Sequence, residues 1–176
     1  MITTVKIESP LGELIAGTTD EGVCLLEFTD RRRAARECID LAKLLKQPLE
    51  SGVHEHLTTL IKQLEEYFTG SLKEFSVPLV TPGTEFQNIV WMELRKSPYG
   101  TTRSYQEQAN ALNRPDSVRA VANANGMNRI SIIIPCHRVI GSNGRLTGYG
   151  GGLKRKSWLI DHEKKFSGKA VDMLLF

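Results

Sequence analysis

The sequence predicts an α+β protein in two parts: a small N-terminal α/β domain over residues 1–82, built on an antiparallel sheet with helices, and a mostly helical domain over 83–176 containing a helix-turn-helix. Three observations carry this expectation. Short β-branched runs separated by Gly and Pro turns fill the first 28 residues, apolar periodicity near 3.6 follows, and Val77-Pro78-Leu79-Val80-Thr81-Pro82-Gly83 interrupts both patterns. A chain of 176 residues with 40% apolar composition can build packed cores.

The opening reads as a β-meander over residues 3–9, 13–19 and 23–28, with turns at Pro10-Leu11-Gly12 and Asp20-Glu21-Gly22. A helix follows at about 32–45, with Ala35, Cys38, Ile39 and Ala42 at helical spacing. A second, at about 55–68, places Leu57, Leu60, Ile61, Leu64 and Phe68 on one face and ends before Gly70. Beyond the break, Thr84-Glu85-Phe86-Gln87 and Ser104-Tyr105-Gln106-Glu107 both fit a capping box, in which a hydroxyl and a carboxylate or amide satisfy orphan amides at a helix start. The second box opens a helix to about Leu112; after Asn113-Arg114-Pro115 another helix runs over about 116–125 and closes at Gly126. The pair reads as a helix-turn-helix whose second helix is rich in alanine, so its backbone can approach DNA closely, and Arg119 is the long charged side chain on it. Ile130-Ser131-Ile132-Ile133-Ile134 reads as a buried strand ended by Pro135, and a last helix begins near Leu153 and carries Trp158, Leu159 and Ile160 toward Glu163. Six glycines lie within residues 141–152, which implies a loop whose backbone comes near something.

Net charge is +3, but it is divided unevenly. Residues 1–83 hold 9 Lys/Arg against 13 Asp/Glu, whereas residues 84–165 hold 13 against 6. That basic half suits a nucleic-acid surface, because neutralising phosphates releases counterions, although a solvated basic face has the same composition. No run approaches the roughly 18 apolar residues of a membrane span, and the first residues lack the layout of a signal peptide. Cys24, Cys38 and Cys136 are an odd number without close spacing, which argues against a disulfide framework and suits a reducing compartment. We therefore expect a cytoplasmic monomer with no membrane association. Cys24 and Cys38 read as small core residues. His54 and His56 hint at zinc but lack companion ligands, so neither a metal nor any other cofactor is expected.

Cys136 lies in Pro135-Cys136-His137-Arg138-Val139. A thiol attacks only as thiolate and needs a base or positive surroundings. His137 is adjacent, but neighbouring side chains diverge, so a proton would pass through a bridging water rather than a direct bond. The imidazole then needs an acceptor on its other nitrogen, and His162-Glu163 supplies one. Taken alone, a Cys-His pair with a distant carboxylate is more often structural.

From about Pro82 to Lys165 the sequence resembles the O6-alkylguanine-DNA alkyltransferases, the methylated-DNA-protein-cysteine methyltransferases, and Ile134-Pro135-Cys136-His137-Arg138-Val139 matches that family's active-site signature without a mismatch. Ser104-Tyr105-Gln106, Arg119-Ala120-Val121, Asn128, Tyr149-Gly150-Gly151-Gly152-Leu153 and Trp158-Leu159 with His162-Glu163 agree in order and spacing. The resemblance implies a ribonuclease-H-like N-terminal domain and direct-reversal DNA repair in double-stranded DNA. One irreversible transfer would move an alkyl group from O6-alkylguanine, and from O4-alkylthymine, to Cys136.

The same resemblance implies the individual roles. His137 deprotonates Cys136 through water, and Glu163 orients His137. The damaged nucleotide is flipped out of the duplex, Arg119 fills the space left, and Tyr105 donates to guanine N3. The main chain at Val139 reads the exocyclic amine, and Asn128 anchors the turn before the Cys136 segment. Ser104, Tyr149 and Gly150 complete the substrate and DNA contacts. Many relatives carry serine where this chain has Gly150; the backbone amide that contacts O6 is kept, and the pocket is wider. Two rivals stand beside this reading. A non-enzymatic alkylguanine sensor would lack the cysteine, and a methylation-switched regulator would need a cysteine-rich module that the acidic first 83 residues do not resemble.

Overall fold

The computed structural model describes residues 1–168, and the chain divides into two compact units. Residues 1–83 together with 129–131 form the first; residues 84–128 and 132–168 form the second.

In the first unit β1 (Ile2–Ile7), β2 (Leu14–Thr19) and β3 (Gly22–Phe28) form the expected antiparallel meander, with Val5 opposite Ala16 and Leu14 opposite Phe28. A short fourth strand, β4 (Leu49–Ser51), joins the far edge parallel to β1, giving the order β3-β2-β1-β4 and making the sheet mixed. Three residues after a helix carry too little pattern to announce a strand. Helices α1 (Arg32–Leu45) and α2 (Glu55–Phe68) fall where periodicity put them. The core gathers Ile2, Cys24, Leu25 and Leu41, with Cys38, Leu45, Leu49 and Val80 packed against it. Cys24 and Cys38 are thus apolar filling, as expected.

The buried face of α1 differs from the expected one. Ala34, Glu37 and Leu41 are buried, whereas Ala35 and Ile39 are exposed. The helix turns away from its most apolar stripe because Glu37 has cationic partners, half-buried Arg33 at 3.4 Å and buried Arg129 at 2.7 Å.

The second unit contains α3 (Glu85–Arg95), β5 (Arg103–Ser104), α4 (Tyr105–Ala111), α5 (Val118–Gly126), β6 (Val139–Ile140) and α6 (Leu153–Phe166). Both capping boxes form in full, at Thr84/Gln87 and Ser104/Glu107. Helices α4 and α5 make the helix-turn-helix around Val90, Ala109, Val121 and Ala124. Their register is fixed by a reciprocal amide pair, Gln108 Nε2 to Asn125 Oδ1 at 2.9 Å and Asn125 Nδ2 to Gln108 Oε1 at 2.7 Å. Such a buried pair leaves no polar atom unsatisfied when the helices dock correctly and several when they slip. Trp91 Nε1 adds a bond to the Ala124 carbonyl at 2.8 Å. Gly126 lies inside α5 rather than beyond it.

The expected strand over residues 130–134 is not a strand. Ile130 makes a single bridge to Leu26, and the chain then turns, with Ile132 at φ +74°. Ile132, Ile133 and Ile134 are nonetheless buried, so their β-branched content reports burial, not extension. Cys136 accordingly opens a single 3-10 turn, Cys136–Arg138, instead of ending a strand.

Candidate active site

The turn Cys136–Arg138 is closed by Arg138 N–H to the Pro135 carbonyl at 3.0 Å, and leads directly into β6. Along α6, Lys156, Leu159, Ile160 and Glu163 share helical spacing and all four are buried. This face delivers a carboxylate to the turn and an ammonium to the loop at Thr147 and Gly148.

Glu163 is the hub. One of its oxygens accepts from His137 Nε2 at 2.7 Å and Arg138 Nη2 at 3.0 Å; the other accepts from Arg138 Nε at 2.8 Å and the Gly100 amide at 3.4 Å. Arg138 also donates to the Ser97 carbonyl at 2.7 Å. Burial raises the cost of the carboxylate charge, but His137 and Arg138 overcome it and hold Glu163 far below the usual carboxylate range. A buried carboxylate with this many donors stays ionised. His137, wholly buried, is pushed down from its ordinary value by desolvation, against the pull of Glu163.

The tautomer follows. Nε2 carries the hydrogen donated to ionised Glu163, so Nδ1 is the bare nitrogen. Nδ1 is buried and has no hydrogen-bond partner among the described residues. The imidazole is thus a neutral base whose geometry is fixed from behind.

Cys136 is partly exposed. Its Sγ accepts from Asn128 Nδ2 at 3.3 Å, and the same amide donates to the Ile134 carbonyl at 2.9 Å. One side chain therefore spans the turn and touches the Cys136 sulfur. Beside it, Tyr105, the first residue of α4, donates its hydroxyl to the Thr147 carbonyl at 3.0 Å. Lys156 Nζ donates to that carbonyl at 2.8 Å and to Gly148 O at 3.3 Å. Its ammonium lies 5.7 Å from the Tyr105 ring centroid. Burial draws Lys156 down to about 8, and interaction with Cys136 pushes it back up. Burial also raises Tyr105, keeping its hydroxyl protonated as a donor. The Tyr149 ring meets His137 edge-on at 6.5 Å.

Of the residues expected at the site, Cys136, His137, Glu163, Asn128, Tyr105 and Tyr149 come together, and Val139 follows the turn, buried in β6. Ser104 Oγ accepts from the Glu107 amide as the α4 cap. Arg119 stands exposed on α5, and Gly150 lies in the loop before α6. His54 and His56 turn to Asp20, at 3.4 Å and 3.1 Å. Sequence reasoning missed Arg138 and Lys156. Each had a signal: Arg138 is inside the motif itself, and Lys156 falls in register with Leu159, Ile160 and Glu163.

Comparison with known proteins covers both units. Residues 85–165 match the family model described as the 6-O-methylguanine DNA methyltransferase DNA binding domain, and residues 2–81 match the ribonuclease-like domain of the same family. The chain is 54% identical to the methylated-DNA–protein-cysteine methyltransferase of Mycobacterium leprae, with 93% of each chain covered. It is 40% identical to that of Mycolicibacterium paratuberculosis, over 98% of this chain and 99% of the relative. The crystal structure of Mycobacterium tuberculosis O6-methylguanine methyltransferase is similar with a TM-score of 0.80 at 39% identity, covering 94% of both chains. A structure of the M. tuberculosis protein in complex with DNA gives the same TM-score and identity over 93% of this chain and 94% of that one.

Proposed function

Because the chain belongs to the methylated-DNA–protein-cysteine methyltransferase family, we propose that Cys136 is the residue that accepts the alkyl group and that His137, Glu163, Asn128 and Tyr105 serve that step. The activity is direct-reversal repair: an alkyl group leaves O6 of guanine in double-stranded DNA and becomes a thioether on the protein. The observation that carries the assignment to Cys136 is the His137–Glu163 bond of 2.7 Å, which leaves His137 Nδ1 a bare, buried base next in sequence to a partly exposed thiol.

The thiol proton passes through a bridging water to His137 Nδ1, and Glu163 stabilises the imidazolium. Sγ attacks the alkyl carbon in line; the S–C bond forms as the C–O6 bond breaks, and its electron pair stays with guanine. Tyr105 donates to N3, where basicity rises as the alkyl leaves, and a proton replaces the alkyl on the base. The target must leave the stack to present this carbon, so Arg119, exposed on α5, occupies its place in the duplex. The Val139 main chain reads the exocyclic amine and the Gly150 amide contacts O6, with Ser104 and Tyr149 lining the approach. O4-alkylthymine presents the same alkyl–oxygen bond and is a second substrate. A thioether is stable and there is no resolving thiol in the scheme, so each monomer acts once. The reaction needs a reduced thiol, which suits the cytoplasm.

Incubation with excess O6-methylguanine duplex followed by mass mapping gives at most one methyl per chain, on Cys136. Sustained turnover, or full activity in Cys136→Ala, overturns the assignment. Gly150 widens the pocket for groups larger than methyl, so Gly150→Ser lowers the benzyl-to-methyl rate ratio; an unchanged ratio removes that reading.

A further inference from the structure

The chemistry above draws on the second unit alone, yet Glu27, Arg33 and Glu37, all buried or half-buried in the first unit, are spent on the charge of Arg129, the residue that follows Asn128. Arg129 Nε lies 2.7 Å from Glu37 Oε2, and Arg33 Nε lies 3.2 Å from Glu27 Oε2 and 3.4 Å from Glu37 Oε1. Glu27 is fully buried in β3, and Glu37 nearly so on α1. Two carboxylates and two guanidiniums balance, paired by charge and proximity rather than by linear hydrogen bonds at each nitrogen.

The backbone of the same segment is held as firmly. The Leu26 amide donates to the Arg129 carbonyl at 2.9 Å, and the Ser131 amide to the Leu26 carbonyl at 2.9 Å. Arg129 Nη1 donates to the Pro82 carbonyl at 2.7 Å, and Ser131 Oγ to Glu27 Oε1 at 3.4 Å. Residues 129–131 are thus attached through two ladder bonds and two side chains. Their neighbours in the chain matter to the reaction. Immediately before stands Asn128, whose amide touches Cys136 Sγ; immediately after stands Ile132, buried at φ +74°, a conformation that β-branched residues strongly disfavour. A strained turn persists only where its surroundings over-determine it.

We propose that the Glu27–Arg33–Glu37–Arg129 network is a positioning device for alkyl transfer, pinning residues 129–131 so that Asn128 and the strained turn present Cys136 in its reactive place. Arg129 is a positioning residue, acting through Asn128, and the N-terminal unit gains a task in the reaction. The inference rests on Cys136 being the acceptor.

The test is single-turnover transfer at saturating O6-methylguanine duplex, with duplex affinity measured separately in a Cys136→Ser background and melting temperature recorded for each variant. Arg129→Met lowers the saturated rate constant at least tenfold while affinity changes less than twofold. Glu37→Gln lowers it comparably, the double variant is no slower than the slower single, and Arg129→Lys recovers most of the rate. Leu60→Ala removes core volume on α2 and serves as the stability control: it lowers the melting temperature and leaves the rate within twofold. If Arg129→Met transfers at the parent rate, if the losses multiply, or if Leu60→Ala slows transfer equally, the network only stabilises the fold and the proposal is overturned. If Arg129→Met does not fold, Arg129→Lys and Glu37→Gln decide against the same control. A parent protein that transfers nothing refutes the function instead, so the two failures are distinguishable.

Discussion

Cys24 and Cys136 are the same side chain in opposite surroundings. Cys24 lies fully buried in β3, its thiol pushed up to about 12 by desolvation and donating to the Gly17 carbonyl at 3.6 Å. Cys136 opens a 3-10 turn, is partly exposed, accepts an amide hydrogen at sulfur and has a neutral, braced imidazole as its sequence neighbour. The reactivity proposed for Cys136 therefore rests on what the turn and α6 bring to it, and a cysteine in a core is simply a small apolar residue.

The sharpest way to break this contrast is to exchange the fates of the two thiols. Cys136→Ala abolishes transfer, a loss of more than about a thousandfold for removal of a nucleophile. Cys24→Ala leaves the rate within about twofold and costs about 1 kcal/mol or less of stability, because only one sulfur's packing is lost. Methyl incorporation by mass spectrometry and denaturant unfolding read both; an alkylated Cys24 would end the comparison.

Next in size is the brace. Glu163→Gln removes the ionised acceptor behind His137, and the rate falls about 10²–10⁴-fold, the range of general-base assistance. It also leaves Arg138 buried without its carboxylate, a change that lowers stability by roughly 3–5 kcal/mol. Tyr105→Phe is smaller, about 10–100-fold in rate, since one donor to the leaving base is lost while the thiol and its base remain. Single-turnover rates at saturating duplex separate these losses from binding.

Alkylation gives a moderate effect. A methyl on Sγ intrudes on the Asn128 amide at 3.3 Å, and the overpacking lowers stability by about 1–3 kcal/mol, visible as a lower melting temperature in the methylated protein. An equal or higher melting temperature contradicts it. The smallest effect is on pH. Protonated His137 cannot take the thiol proton, and burial sets its titration below the ordinary 6.5. The midpoint of the fall in transfer rate with pH therefore lies below 6.5; a midpoint above 6.5 means that Glu163, and not burial, governs the imidazole.

Much of this was legible in the residues. The two capping boxes are chemical statements about particular amides, and both form. The turn chemistry of the β-meander is local and held, and the α2 stripe held at Leu57, Leu60 and Leu64, with Tyr67 buried and Ile61 and Phe68 half-buried beside them. What was not legible depended on distant partners. Glu37 buries itself in a helix whose apolar stripe pointed elsewhere, because Arg129, remote in sequence, meets it. The isoleucine run at 132–134 turns because its burial is satisfied without extension. Residues named at the site through family resemblance gather around Cys136 where contacts within the protein hold them, whereas Arg119 stands exposed on α5 and Gly150 lies in the loop before α6, where the roles proposed for them need DNA. Lys156 escaped notice because a lysine in a basic run looks like surface until its helical register is counted.

The shared carbonyl of Thr147 has a consequence for selectivity. Tyr105 and Lys156 both donate to it, so the tyrosine hydroxyl can turn to a base without leaving that oxygen unsatisfied. The exchange trades one neutral hydrogen bond for another, each worth about 0.5–1.5 kcal/mol net. On the role proposed for Tyr105, a base with an acceptor at the right height makes the trade even. One with no acceptor there asks the hydroxyl to forfeit a partner, and is disfavoured before the sulfur is ever committed.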